Sequence, residues 1–284
     1  MSISELKKEA KIRIKGVYFR LFAMFLTYTI ITFFLTTVIN GIVEALPIFS
    51  INLILSLLLL LIDVPMGYGV IVMTLKAVRG EDFKLLDFLV AGFKSFGKIW
   101  KTSLRLFVRL LFPAILTMVT YVLFFIFVAL YFLPMLANMP GAEAELVTIA
   151  SAIPSVSLSQ VIVFGLLFLA ASIYFFVKNL LYAPFQFVLK DNEDLTATEV
   201  INKTRDLMKG HRCKYFLIGL SFILYFIGII FLFMFTAVVN PLFSITVTFI
   251  ATALLTPYIT STQICFYEEL KEENNKPVEN KDAE

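Results

Sequence analysis

Two ionisable side chains stand where ionisable side chains are costly. Asp63 falls inside the apolar run 49–75, and Lys178 inside the run 158–189. A charge at the centre of a membrane-spanning helix costs about 2.5–3.5 kcal/mol on insertion scales, so each needs a partner or a task. Asp63 precedes Lys76 by 13 residues, and Lys178 precedes Lys190 by 12. Continuous helices would set both about 18–20 Å from the ends of their spans. Equal depth and opposite sign suggest an intramembrane ion pair. Three readings stay open: a salt bridge locking two hairpins, snorkelling of Lys178 toward the nearer interface, and a polar centre for passage of an ion or substrate.

A second constellation is Lys101, Arg105 and Arg109, which recur every four residues and share one helix face. Such a face suits phosphate oxygens, so these three are candidate lipid headgroup contacts. Plain anchoring of a span by positive charge competes with that reading. Pro65, Pro184 and Pro257 each remove a backbone donor and should kink their helices. Broken helices can offer carbonyls to a substrate, although Pro and Gly are also ordinary in spans.

The usual catalytic constellations are missing. The sequence has no HExxH, no GxSxG and no P-loop, and His211 is its one histidine. A His dyad or Ser–His relay therefore cannot form. Cys213 and Cys265 have no CxxC partner, so neither a disulfide framework nor a metal site is expected. The reading is a non-enzymatic chain with no cofactor, no metal and no nucleic-acid module.

The elements that must position these residues are greasy. Of 284 residues, 60% are apolar and 16% charged, and 31 are Phe; mean hydropathy is +0.90. Soluble domains average about 45–50% apolar and about 25% charged. A span needs about 20 mostly apolar residues. Six runs qualify: 21–43, 49–75, 110–136, 158–189, 215–239 and 242–266, the last two divided at Asn240-Pro241. The first run is too long for a signal-peptide core and reads as a retained anchor. With six spans, all 24 Lys and Arg fall on one side, while Glu44, Glu143 and Glu145 face the other. By the positive-inside rule the basic side is cytoplasmic, and so are both termini. The expected class is all-α: a polytopic integral membrane protein with six transmembrane helices as three hairpins. The polar end 268–284 is expected to be a disordered cytoplasmic tail.

The basic connections carry helical stripes. Thr196-x-x-Glu199 forms a capping box before Val200, Ile201, Thr204, Leu207 and Met208, with Gly210 as a stop. Ser2-x-x-Glu5 precedes Ile3, Leu6, Ala10, Ile14 and Val17, and Phe83, Leu86, Val90, Phe93 and Phe96 make a third stripe. All three are expected to be short amphipathic helices in the membrane interface. Each is followed by a Gly, an aromatic element and two spans, which suggests a three-hairpin internal repeat.

Several strings resemble the bacterial membrane-protein family called domain of unknown function 975. They are Leu195-Thr-Ala-Thr-Glu-Val, Leu207-Met208-Lys209-Gly210 and the apolar Tyr215–Ser221. Thr256-Pro257-Tyr258 and Phe266-Tyr267-Glu268-Glu269-Leu270 add to them, with Glu5-Leu6-Lys7 through Gly16 at the start and Gly92-Phe93 in the centre. His211-Arg212-Cys213-Lys214 departs from the aromatic-rich stretch often found there. The resemblance implies a Gram-positive-type plasma membrane protein without an established activity.

Two functions are expected. One is organisation or regulation at the cytoplasmic leaflet, with the lipid bilayer, including anionic phospholipid, as partner. The other is a small transporter or exporter centred on Asp63 and Lys178.

Overall fold

The computed structural model describes residues 1–45, 49–138, 140, 144, 148, 152 and 156–275. Glu143 and Glu145 lie outside them. Among the described residues every regular element is an α-helix. By length and composition six helices can cross a membrane: Tyr18–Ala45, Ser50–Val78, Phe96–Ala137, Leu158–Asp191, Arg212–Val239 and Pro241–Asn274. The chain divides into two compact units, one of residues 1–104 and 182–284, the other of residues 105–181.

The first unit opens with α1 (Ile3–Ile14), started by the Ser2–Glu5 capping box. Its Leu6, Ala10 and Ile14 are fully buried, because α1 lies on α11 (Pro241–Asn275). The stripe expected to face the membrane is therefore covered by the protein's own helix. The same holds for α8 (Ala197–Leu207), where Val200, Ile201, Thr204 and Met208 are buried. Its Thr196–Glu199 box is formed as the sequence indicates, and Gly210 takes φ +82°, a conformation that favours glycine. The third stripe behaves oppositely. Its first residue, Phe83, is buried, and in α4 (Asp87–Lys94) Phe88 and Gly92 are buried, while Leu86, Val90, Phe93 and Phe96 are exposed.

Backbone contact explains the orientation of α4. It packs on α3 (Phe49–Val78) through two glycines. A methyl group on Gly69 would overlap the Phe88 carbonyl, and one on Gly92 would overlap the Pro65 carbonyl. Without a hydrophobic drive between helices in lipid, such small-residue contacts are a main source of attraction.

The long α11 is the hub. It packs on α1, α2 (Tyr18–Ala45), α3, α8, α9 (Arg212–Leu220) and α10 (Ile223–Val239). Thr260, Ser261, Thr262, Ile264, Cys265, Phe266 and Tyr267 are all buried. The segment read as a tail from Glu268 instead continues this helix to Asn275, with Glu269 and Leu270 buried. Apolar residues that follow a span in helical register keep the helix in the protein despite the charges between them. α10 and α11 run antiparallel, since Phe222 meets Tyr258 and Thr236 bonds Ser244 at 3.0 Å.

Two spans are interrupted. The expected kink at Pro184 is a full break: α6 (Leu158–Leu180) ends, and α7 (Phe185–Asp191) begins after it. Ser221 and Phe222 part α9 from α10, and the Ser221 carbonyl accepts from Lys7 at 2.8 Å. Pro65 and Pro257 stay inside α3 and α11.

The second unit holds most of α5 (Phe96–Ala137) and α6. Aromatic rings join them: Tyr121 meets Phe168, and Phe127 stacks on Phe164 at 3.9 Å. The Thr117 hydroxyl donates to the Ala171 carbonyl at 3.1 Å.

The glycine contacts make a direct prediction. Gly69→Ala and Gly92→Ala should each cost about 1–3 kcal/mol, as overpacking does, read as a lowered melting midpoint in detergent. Gly67→Ala is the control, because a methyl there meets only the Tyr28 hydroxyl, at 3.5 Å; equal losses at all three positions would refute the contact.

Candidate functional site

The buried core of the first unit lies where its basic residues gather. Asp191, ending α7, accepts from Arg79 after α3 at 2.7 and 2.8 Å, from Lys271 of α11 at 2.6 Å and from the Tyr267 hydroxyl at 3.0 Å. Arg79 also pairs with Glu268 at 2.5 Å. The hydrogen bond from Arg79 to Asp191 holds the guanidinium charged more firmly than usual, against the effect of burial. Beside this node, Glu269 takes Lys214 at 2.6 Å and the N-terminal ammonium.

Three cavities open in this unit. The first, about 570 Å³, lies between the end of α1, the start of α2, α10 and α11. Ile14, Ile229, Leu254 and Leu255 make apolar walls, Tyr18, Tyr225 and Tyr258 add ring surface, and Lys11 and Lys15 line one part. The Tyr18 hydroxyl donates to the Leu254 carbonyl at 2.5 Å. Lys7, Lys11 and Lys15 recur every four residues on α1. Lys7 is committed to the Ser221 carbonyl, with its ammonium over the Phe222 ring. Lys11 and Lys15 are exposed and have no bonded partner among the described residues.

The second cavity, about 850 Å³, is lined by Lys76, Lys94, Lys98, Lys101 and Lys190 against the single carboxylate Glu193. Lys190 pairs with Glu193 and pulls that carboxyl below its usual range. Lys98 donates to the Asn192 and Glu193 carbonyls.

The third cavity lies in the apolar part. Asp63 lines it with Tyr28, Thr32, Thr36 and Ser56. The Tyr28 hydroxyl donates to Asp63 at 2.8 Å, so the carboxylate has a partner inside its own unit. Lys178 belongs to the second unit, where its ammonium lies 5.4 Å from the Tyr174 ring centre. Of the three candidate headgroup residues, Lys101 lines the second cavity, and Arg105 and Arg109 belong to the second unit.

The sequence supplied no sign of the first cavity. Lys11 and Lys15 precede the first span, and Tyr225 and Tyr258, on α10 and α11, lie more than 200 residues further along the chain.

Residues 1–274 match the family described as "Protein of unknown function (DUF975)". The chain belongs to the DUF975 family. No curated protein and no solved structure matches it. The strings that carried the resemblance have evident structural work. In Phe266-Tyr267-Glu268-Glu269-Leu270, Tyr267 bonds Asp191, Glu268 pairs with Arg79, and Glu269 holds Lys214. In Leu207-Met208-Lys209-Gly210, Met208 is buried and Gly210 turns the chain. Among the described residues, no three His, Cys, Asp or Glu side chains are grouped to hold a metal ion.

Asp191→Asn should cost about 1–3 kcal/mol, because it removes the bidentate partner of Arg79 and the nearer carboxylate of Lys271, leaving Glu268 alone to both. The exposed Asp194→Asn should stay within about 0.5 kcal/mol. Thermal unfolding in detergent compares them, and equal midpoints would remove Asp191 as a structural node.

Proposed function

We propose that this DUF975 protein is a non-enzymatic component of the bacterial plasma membrane, with both termini cytoplasmic, that binds anionic phospholipid and organises or regulates the inner leaflet. The observation that carries this reading is the first cavity, where apolar walls adjoin two uncommitted lysines. An acyl chain loses no hydration by entering such walls, while the phosphate meets the ammonium groups. Anionic headgroups are commonest on the cytoplasmic leaflet, the side on which Lys and Arg collect. The exposed stripe of Leu86, Val90, Phe93 and Phe96, between Lys84 and Lys98 in sequence, suits the headgroup boundary. Arg105 and Arg109 extend the basic face along α5. In this reading the six spans are three hairpins, each preceded by a short helix on the basic side.

Native mass spectrometry of the full chain tests it. Phosphatidylglycerol should be retained over phosphatidylcholine. Lys11→Gln with Lys15→Gln should weaken retention roughly tenfold to thirtyfold, at about 1 kcal/mol per lysine. Equal retention by wild type and the double variant would end the lipid reading of this cavity.

A transporter is the second reading, favoured by the oxygen-lined cavity at Asp63. Hydroxyls and a carboxylate inside a span suit a small cation or proton. Asp63→Asn should then preserve the melting midpoint and abolish proton flux into dye-loaded proteoliposomes under an imposed potential. Undiminished flux in the variant, or none in wild type, removes proton passage through Asp63.

A further inference from the structure

We infer that the second cavity is a binding site for an anion carrying two or more phosphate groups. Its walls come from α3, the α4–α5 junction, α7 and the start of α8, all in the first unit. Five lysines share it with one carboxylate, which leaves an excess of four positive charges. Two of the five are already engaged: Lys190 with Glu193, and Lys98 with two backbone carbonyls. Lys76, Lys94 and Lys101 have no bonded partner among the described residues.

Lysines that line one concave wall repel, and water and salt screen them only in part. Anchoring a span would not bring them together, since a lysine anchors equally well pointing anywhere into the headgroup layer. A multivalent anion relieves the repulsion of all three at once. Lysine is a point-charge phosphate binder, and ammonium groups held on separate helices can reach separate phosphates. Tyr68, 2% exposed, and Ser95 line the same walls, their hydroxyls bonded to each other. The volume, about 850 Å³, lies in the range of small-molecule sites, about 300–1,000 Å³. The walls are more polar than those of the first cavity, which favours phosphate over an acyl chain.

The shared chemistry is two linked phosphates, supplied by a water-soluble compound or by the headgroup of a two-phosphate lipid. This inference does not depend on the lipid reading of the first cavity. Inorganic pyrophosphate is the probe, with orthophosphate and matched sodium chloride as controls, on full-length protein in detergent. Pyrophosphate should raise the melting midpoint saturably, with at least tenfold higher affinity than orthophosphate. Lys76→Gln, Lys94→Gln and Lys101→Gln together should lower the affinity at least tenfold. The single variants Lys94→Gln and Lys101→Gln, both at exposed positions, should give intermediate losses if the triple variant does not fold. Lys11→Gln with Lys15→Gln should bind pyrophosphate like wild type, which separates this site from the first. In nanodiscs, cardiolipin that displaces pyrophosphate assigns the phosphates to lipid, and pyrophosphate binding undisturbed by cardiolipin assigns them to a solute. No saturable shift, a shift reproduced by sodium chloride, or lysine variants that bind like wild type would overturn the proposal.

Discussion

One carboxylate holds the basic end of the first unit together. Asp191 accepts from Arg79, Tyr267 and Lys271, and so joins the end of α3, the end of α7 and the C-terminal part of α11. Helices in lipid gain nothing from hiding apolar surface from one another, so their association depends on close packing and polar bonds. A part-buried charge that satisfies three partners is costly to leave unpaired. That asymmetry makes the node a fastener: each partner is more stable in place than released.

The distribution of packing follows from it. Residues 66–78 of α3, 187–189 of α7 and 260–270 of α11 are largely buried, whereas 30–42 of α2 and 223–235 of α10 are mostly exposed and apolar. Away from the node α10 and α11 stay packed as far as the Thr236–Ser244 bond, while their outer faces are exposed and apolar. The first cavity lies at the join between these regimes, and so it combines apolar walls with lysines. The second lies within the charged regime, and it is lined by lysines instead.

Length, apolar runs and charge placement made the six spans legible in the sequence, because the bilayer imposes them residue by residue. Both capping boxes were legible because they are local. What failed was non-local. Leu6, Ala10 and Ile14 form the same stripe whether lipid or another helix covers them, and α11 covers them here. Gly92 reads as a common helix residue, yet its contact with the Pro65 carbonyl decides which face of α4 is buried. Glu268 and Glu269 read as solvated charges, because their partners Arg79 and Lys214 are far away in sequence. The Tyr28 hydroxyl bonds Asp63 from one helix back, a contact that no local pattern marks.

The positive-inside rule concerns how many lysines flank the apolar runs, not how they are employed. Lys7 holds the Ser221 carbonyl, Lys203 the Asn192 side chain, Lys214 holds Glu269, and Lys271 holds Asp191. These four replace water with fixed partners, and each ties one helix or loop to another. Lys11 and Lys15 at the first cavity, and Lys76, Lys94 and Lys101 at the second, do not. If topology alone set the lysines, uncommitted ones would scatter around the rim. Lys8 and Lys84 do lie apart from both spaces, but these five line the two that the packed helices leave open. On the two anion readings proposed above, these five charges serve a ligand that comes and goes rather than the fold.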